Sequence, residues 1–156
     1  MKDYLNLVIE PLQSSHARGD FFCGFDKLDN YLKRQAGQDI KRNISRVFVA
    51  TSTENVFQIL GYYTLSSLSI ALQELPAGLS KKLPKHPIPA ALIGRLAVSK
   101  HVQGYGIGRM LLTDALKRTL AVREQIAIYA LVVDALNDKA ANFYKQFGFI
   151  PLAKDN

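Results

Sequence analysis

The stretch RLAVSKHVQGYGIGRML, residues 95–111, sets an apolar run directly ahead of glycines at 104, 106 and 108 and then resumes with methionine and leucine. AALIGRLAVS (90–99) reads as a strand and GRMLLTDALKRTLAV (108–122) as an amphipathic helix, so the glycines fill a sharp strand-to-helix turn. A helix opened this way bares unpaired N–H groups at the positive end of its dipole. Glycines let an anion approach the backbone closely, so the place suits a phosphate. Two familiar phosphate loops are excluded. Gly108 is followed by Arg109 and Met110 rather than Lys and Ser or Thr. The unit also lies past mid-chain, with Asp134 too far on to be the acid that binds a dinucleotide ribose. On the loop alone, a plain connection between strand and helix stays open.

The flanking segments give the loop a setting. Asp26 is placed to cap a first helix, with Asp29 in its first turn and Leu28, Tyr31, Leu32, Ala36 and Ile40 along one side. Lys27, Arg34, Gln38 and Lys41 fall within a narrow arc opposite, a stripe that is either solvated surface or a binding face. RVFVAT (46–51) and VFQILGYYTLSSLSI (56–70) read as a β-hairpin. Residues 73–89 hold four prolines with Lys81, Lys82, Lys85 and His86, and read as an irregular surface loop. IAIYALVVDA (126–135) reads as a strand apolar enough to be buried on both faces, and NDKAANFYKQFGF as a short helix stopped near Gly148. Early strands followed by two strand–helix units predict an α+β, mixed α/β fold whose sheet has a parallel portion. The length of 156 residues and the 48% apolar content fit one domain. The single Cys23, the lack of a leader pattern and the absence of a membrane-length apolar run predict a cytoplasmic protein with no membrane role. A net charge of +7 favours a polyanionic partner.

Gln103-Gly104-Tyr105-Gly106-Ile107-Gly108 resembles Gln/Arg-x-x-Gly-x-Gly/Ala, the pyrophosphate signature of the GNAT superfamily of acyl-CoA-dependent N-acetyltransferases. RLAVS is similar to that family's central strand, and AANFYKQFGF to its late helix with an aromatic pair and a Gly-Phe ending. FFCGFDKLDNYL, GYYTLS, PIPAALIGRLAVS and VVDALNDKAANFYKQFGF together resemble the toxin branch, across about residues 20–150. The resemblance implies a GNAT fold over residues 1–156, its mixed sheet splayed between two middle strands and flanked by helices. It implies acetyl-CoA held by Leu96, Ala97, Val98, Gln103, Gly104, Tyr105, Gly106, Ile107, Gly108, Arg109, Asn137 and Phe143. It further implies acetylation of the amino group of aminoacyl-tRNA, arrest of translation, a ribbon-helix-helix antitoxin and a homodimer. Only six residues follow Ile150, too few for the family's last strand.

Acetyl transfer from a thioester needs a free amine, donors for the oxyanion and a proton for the departing thiolate. The family's pattern points to Tyr144 for the proton, since a phenol of reference pKa about 10 can donate to a thiolate of about 8.5. It points to a main-chain N–H along Leu96 to Val98 for the oxyanion. No acid lies in LIGRLAVS, and IAIYALVVDA offers only Asp134, so no strong base is evident. That favours an α-amino group, with a reference pKa near 7.7 to 8.0, over a lysine at about 10.4. Lys27, Arg34, Lys41, Lys81, Lys82, Lys85 and Arg95 are candidates to follow the RNA backbone. Two alternatives remain: a GNAT enzyme for a small amine or protein N-terminus, and a non-catalytic acetyl-CoA-binding regulatory or RNA-binding partner. Cys23 is assigned to packing. His16, His86 and His101 are expected at the surface without a metal, and Phe21, Phe22 and Phe25 are expected to seal the first helix against the sheet.

Overall fold

In the computed structural model, which describes residues 6–152, five strands cross one sheet in chain order. They are β1 (Leu7–Pro11), β2 (Arg46–Ser52), β3 (Gly61–Ile70), β4 (Ile88–Val98) and β5 (Ala130–Val133). All neighbours pair antiparallel except β4 and β5, which run parallel. A near-continuous helical run, α1 (Asp26–Asn30), a π turn (Tyr31–Gln35) and α2 (Ala36–Lys41), covers one face. The opposite face carries α4 (Ile107–Val122) and α5 (Asp138–Lys145). A single helical turn, α3 (Ala77–Ser80), lies between β3 and β4.

Strand alternation sorts the core into two layers. Tyr62, Val47 and Val49 pack with Tyr31, Leu32 and Ala36 of the helical run, while the next residue, Tyr63, joins Ile93 and the Ile107, Leu111, Leu112 and Ala115 stripe of α4. Leu32 and Leu111 are wholly buried, each worth roughly 1.5–3 kcal/mol of apolar burial. Gly61 opens β3 because a β-carbon there would stand 2.9 Å from both the Ala97 carbonyl oxygen and a Leu111 methyl. The hairpin strand begins five residues later than its apolar content predicts, because Asn55 Oδ1 accepts the Phe57 and Gln58 N–H groups and holds them in a turn.

Two irregularities in β4 shape the site. Tyr63 pairs with Leu96 but Leu65 with Ile93, so Gly94 and Arg95 together face Thr64, a β-bulge. The Arg95 N–H donates to Thr64 Oγ1 at 3.0 Å. The extra residue keeps Ile93, Leu96 and Val98 against the α4 layer and sends Arg95 and Ala97 to the helical-run side. Pairing with β5 ends at Ile93 and Val133, closed by the Asp134 N–H donating to the Ile93 carbonyl, and β4 continues alone to Val98. The sheet splays there, between β4 and what is its edge strand among the described residues.

Other expectations need correction. Phe25, not Asp26, holds the N-cap position of α1, and no side chain caps it; Asp26 lies in the first turn. The π turn widens the helix and breaks the 100° register on which the basic stripe was drawn. β5 is four residues rather than ten and only half-buried: both faces meet apolar neighbours, but its outer edge has no strand beside it among the described residues. Ile126 and Tyr129, read as strand, are exposed. The Pro/Lys loop is less irregular than predicted, since a 3₁₀ turn (Leu72–Glu74) and α3 bring Leu72, Leu75 and Leu83 onto a third apolar cluster with Ile70 and Ile88.

Candidate active site

A groove of about 1410 Å³ runs along the split, from the glycine turn past α5 to the helical run. One wall is the opening of α4. Gly106 sits at its N-cap position with φ 85°, Gly104 has φ 89°, and no side chain caps the helix. A left-handed backbone is cheap for glycine, and the leading N–H groups of α4 have no intrahelical acceptor. Gly104, Gly106, Ile107, Gly108 and Arg109 line the groove, whereas Tyr105 lies outside it, half exposed. Gln103 also lines it, but its Nε2 donates to the carbonyls of Cys23 (3.1 Å) and Val98 (3.0 Å). Its side chain thus ties the turn to the chain before α1 and to the end of β4.

α5 supplies the facing wall. Asn137 caps it by accepting the Ala140 N–H at 2.9 Å, which fixes the rotation that turns Phe143 and Tyr144 inward. Phe143 packs on Gly108, edge-on to the rings of Tyr144 and Phe147. Tyr144 is 5% exposed, is flanked by Phe149, and lines the groove. Burial, and then the charge of Asp134, push its hydroxyl up to about 12, so the phenol keeps its proton throughout the neutral range. Leu96, Ala97 and Val98 form the floor, on the stretch of β4 that has left β5.

The third wall comes from the helical run, whose Tyr31, Gln35 and Asp39 recur every four residues along the groove. The Tyr31 hydroxyl donates to Asp39 Oδ2 at 2.8 Å, and the Arg95 guanidinium lies 3.6 Å from the centre of the Tyr31 ring. Burial and then Asp39 raise Tyr31 to about 12. Asp39 adds an acid that lies on neither strand: β4 has none, but a carboxylate from α2 enters the groove, one oxygen occupied by Tyr31. No helical period announces it, because the π turn at Tyr31–Gln35 sets which side of the run Asp39 faces. Of the predicted RNA contacts, Lys27 and Arg95 line the groove; Arg34, Lys41, Lys81, Lys82 and Lys85 are exposed outside its lining. Lys100 and Lys139 line it unforeseen.

Cys23 is packed as expected, its thiol pushed up to about 11 by burial and by Asp29. His16 is not at the surface: it is 4% exposed, its Nδ1 accepts the Gln13 N–H at 2.9 Å, and its Nε2 stands 3.2 Å from Glu10 Oε1. Phe21 seals the helix as predicted, but Phe22 and Phe25 do not; they are 51% and 44% exposed. Among the described residues no helix is long and apolar enough to cross a membrane.

Residues 43–151 match the family described as acetyltransferase (GNAT) domain. The chain is 36% identical over 129 residues to a tRNA-acetylating toxin of Mycobacterium tuberculosis, covering 83% of this chain and 75% of that one. Its structure is similar to that of AtaT complexed with acetyl-methionyl-tRNAfMet, with a TM-score of 0.88 and 33% identity across 96% of this chain and 90% of that one. It is also similar to a tyrosine-to-phenylalanine mutant of AtaT bound to acetyl-CoA and the C-terminus of the antitoxin AtaR, with a TM-score of 0.79 and 31% identity across 95% and 86% of the chains.

Proposed function

Because the chain belongs to the GNAT acetyltransferase family, in its toxin branch, we propose that it acetylates the α-amino group of aminoacyl-tRNA and thereby stops translation. The observation that carries this reading is that the glycine turn, the free edge of β4 and Tyr144 line one groove that also holds Lys27, Arg95 and Lys100. Acetyl-CoA, the acetyl donor, supplies a thioester and a diphosphate. The chain's residues fit it: the uncapped start of α4 with Gly104 and Gly106 offers N–H groups to the diphosphate, and Arg109 adds a cation. Main-chain groups of Leu96 to Val98 on the side facing away from β3, where no described strand pairs with them and the Val98 carbonyl accepts from Gln103 Nε2, serve the acyl arm and the oxyanion. Tyr144 donates its proton to the leaving thiolate, and Phe143 and Asn137 hold its helix in place.

The amine enters from the helical-run side. An α-amino group that is partly unprotonated at neutral pH needs less help than a lysine, and Asp39 and Asp134 are the carboxylates at hand. Lys27 and Arg95 meet phosphates nearest the reacting end, while Arg34, Lys41, Lys81, Lys82 and Lys85 follow the RNA farther out. The whole chain acts as one acetyltransferase domain. It works in the cytoplasm as a homodimer, neutralised by a ribbon-helix-helix antitoxin. Incubating the purified protein with acetyl-CoA and aminoacyl-tRNA, then weighing the released aminoacyl groups, tests the reading: a mass gain of one acetyl group is expected, and an unchanged mass refutes it.

A further inference from the structure

We propose that Phe22 and Phe25, with Lys27 and Lys100, form a stacking platform for the unpaired 3′-terminal nucleotides of the RNA substrate. The inference deepens the aminoacyl-tRNA reading and rests on it. FFCGF alternates as an extended segment does: Phe21 and Cys23 are each 2% exposed, while Phe22 between them is 51% exposed. Gly24, at φ 100°, then turns the chain, and Phe25 emerges 44% exposed at the mouth of the groove that holds Tyr144. One exposed phenylalanine is ordinary; a second, three residues on and at the entrance to a reactive groove, is not.

The backbone beneath these rings is tied on three sides. The Lys100 N–H donates to the Phe22 carbonyl at 2.8 Å, Gln103 Nε2 to the Cys23 carbonyl at 3.1 Å, and the Cys23 N–H to Asp29 Oδ1 at 2.8 Å. The backbone that carries the rings is therefore fixed, which limits the entropy lost when a ligand covers them. Cations stand beside them: Lys100 Nζ lies 3.6 Å from where a β-carbon on Gly24 would be, and Lys27 lines the same wall. Neither lysine is in an ion pair with a described residue. Aromatic faces interleaved with free ammonium groups match an unpaired nucleic-acid strand, whose bases stack and whose phosphates need cations. An apolar protein partner would use the rings but has no need of the lysines.

Two readouts test this, the first independent of catalysis. Fluorescence anisotropy with a labelled RNA tetramer ending in CCA should give binding that weakens about tenfold for each ring removed in Phe22→Ala, Phe25→Ala and the double variant. Phe25→Trp should keep the affinity and Phe25→Leu should lose it, because leucine preserves apolar bulk without a π face. The KM for aminoacyl-tRNA should rise in parallel while acetyl-CoA affinity stays constant. RNA binding that ignores both rings, or rescue by leucine, overturns the platform, as does a defect confined to self-association or antitoxin binding. Ring-dependent tetramer binding by a protein that acetylates no aminoacyl-tRNA leaves the platform standing and refutes the functional reading instead.

Discussion

The two ends of the groove are built from different materials. The end proposed for the cofactor is mostly backbone: a glycine turn at positive φ, the uncapped start of α4 and the free edge of β4. The end proposed for the acceptor is mostly side chain: Arg95 stacked on Tyr31, Tyr31 bonded to Asp39, and Phe25 and Lys27 at the start of α1. Backbone recognition tolerates little change of sequence and so writes a motif. Side-chain recognition can be rebuilt residue by residue, which lets a fixed donor site serve a variable acceptor. The two ends meet at Tyr144, and substitutions on either side should separate in what they alter.

The largest effect is expected at the junction. Tyr144→Phe should lower kcat by at least about 100-fold, the lower range for loss of a general acid, with acetyl-CoA affinity nearly unchanged. Initial rates beside calorimetric titration of the cofactor measure both, and a rate within fivefold of normal would remove Tyr144 from the chemistry. Next comes the backbone end. Gly106→Ala forces a β-carbon into φ 85° and should weaken acetyl-CoA binding about tenfold while leaving RNA affinity alone. Equal losses for both ligands would erase the distinction between the ends.

Smaller effects belong to the acceptor side. Arg95→Lys keeps the charge but loses the flat stack on Tyr31, and should raise the KM for aminoacyl-tRNA about threefold to tenfold without touching the KM for acetyl-CoA. Lys27→Ala should reduce the slope of log affinity against log salt by about one, and a salt-insensitive wild type would argue against RNA altogether. The last expectation is of no change: with the Tyr144 hydroxyl at about 12, kcat should have no falling limb below pH 10 from loss of its proton. The same raised value makes the folded state hold that proton longer than the unfolded chain does. Its contribution to stability is thus whole below about pH 10 and is lost as pH rises toward 12, a loss that alkaline unfolding of Tyr144→Phe should lack.

This contrast also explains what the sequence could disclose. The turn at 103–109, helix 107–122 and the Tyr144 helix are legible because local spacing and glycine dictate them. Asp39 is not, because its place in the groove depends on a π turn that no periodicity announces. Phe22 and Phe25 look like core by composition, and only the alternation of an extended segment and the left-handed Gly24 turn them outward. His16 looks like surface, but the Gln13 N–H and Glu10 give a buried imidazole polar company. β1 leaves no mark in the sequence, being a five-residue edge strand, half-buried and ending in proline, with too few residues to display a period. β5 is shorter than its apolar run implies, because such a run says nothing about where a neighbouring strand stops pairing.

The doubled residue opposite Thr64 has a consequence for evolution as much as for geometry. Removing either Gly94 or Arg95 would invert the inside-out order of everything downstream in that strand, pointing Leu96 and Val98 toward α1 and Ala97 toward α4. A lineage can exchange the amino acids there and retune the acceptor, yet it cannot shorten the stretch without trading one hydrophobic layer for the other.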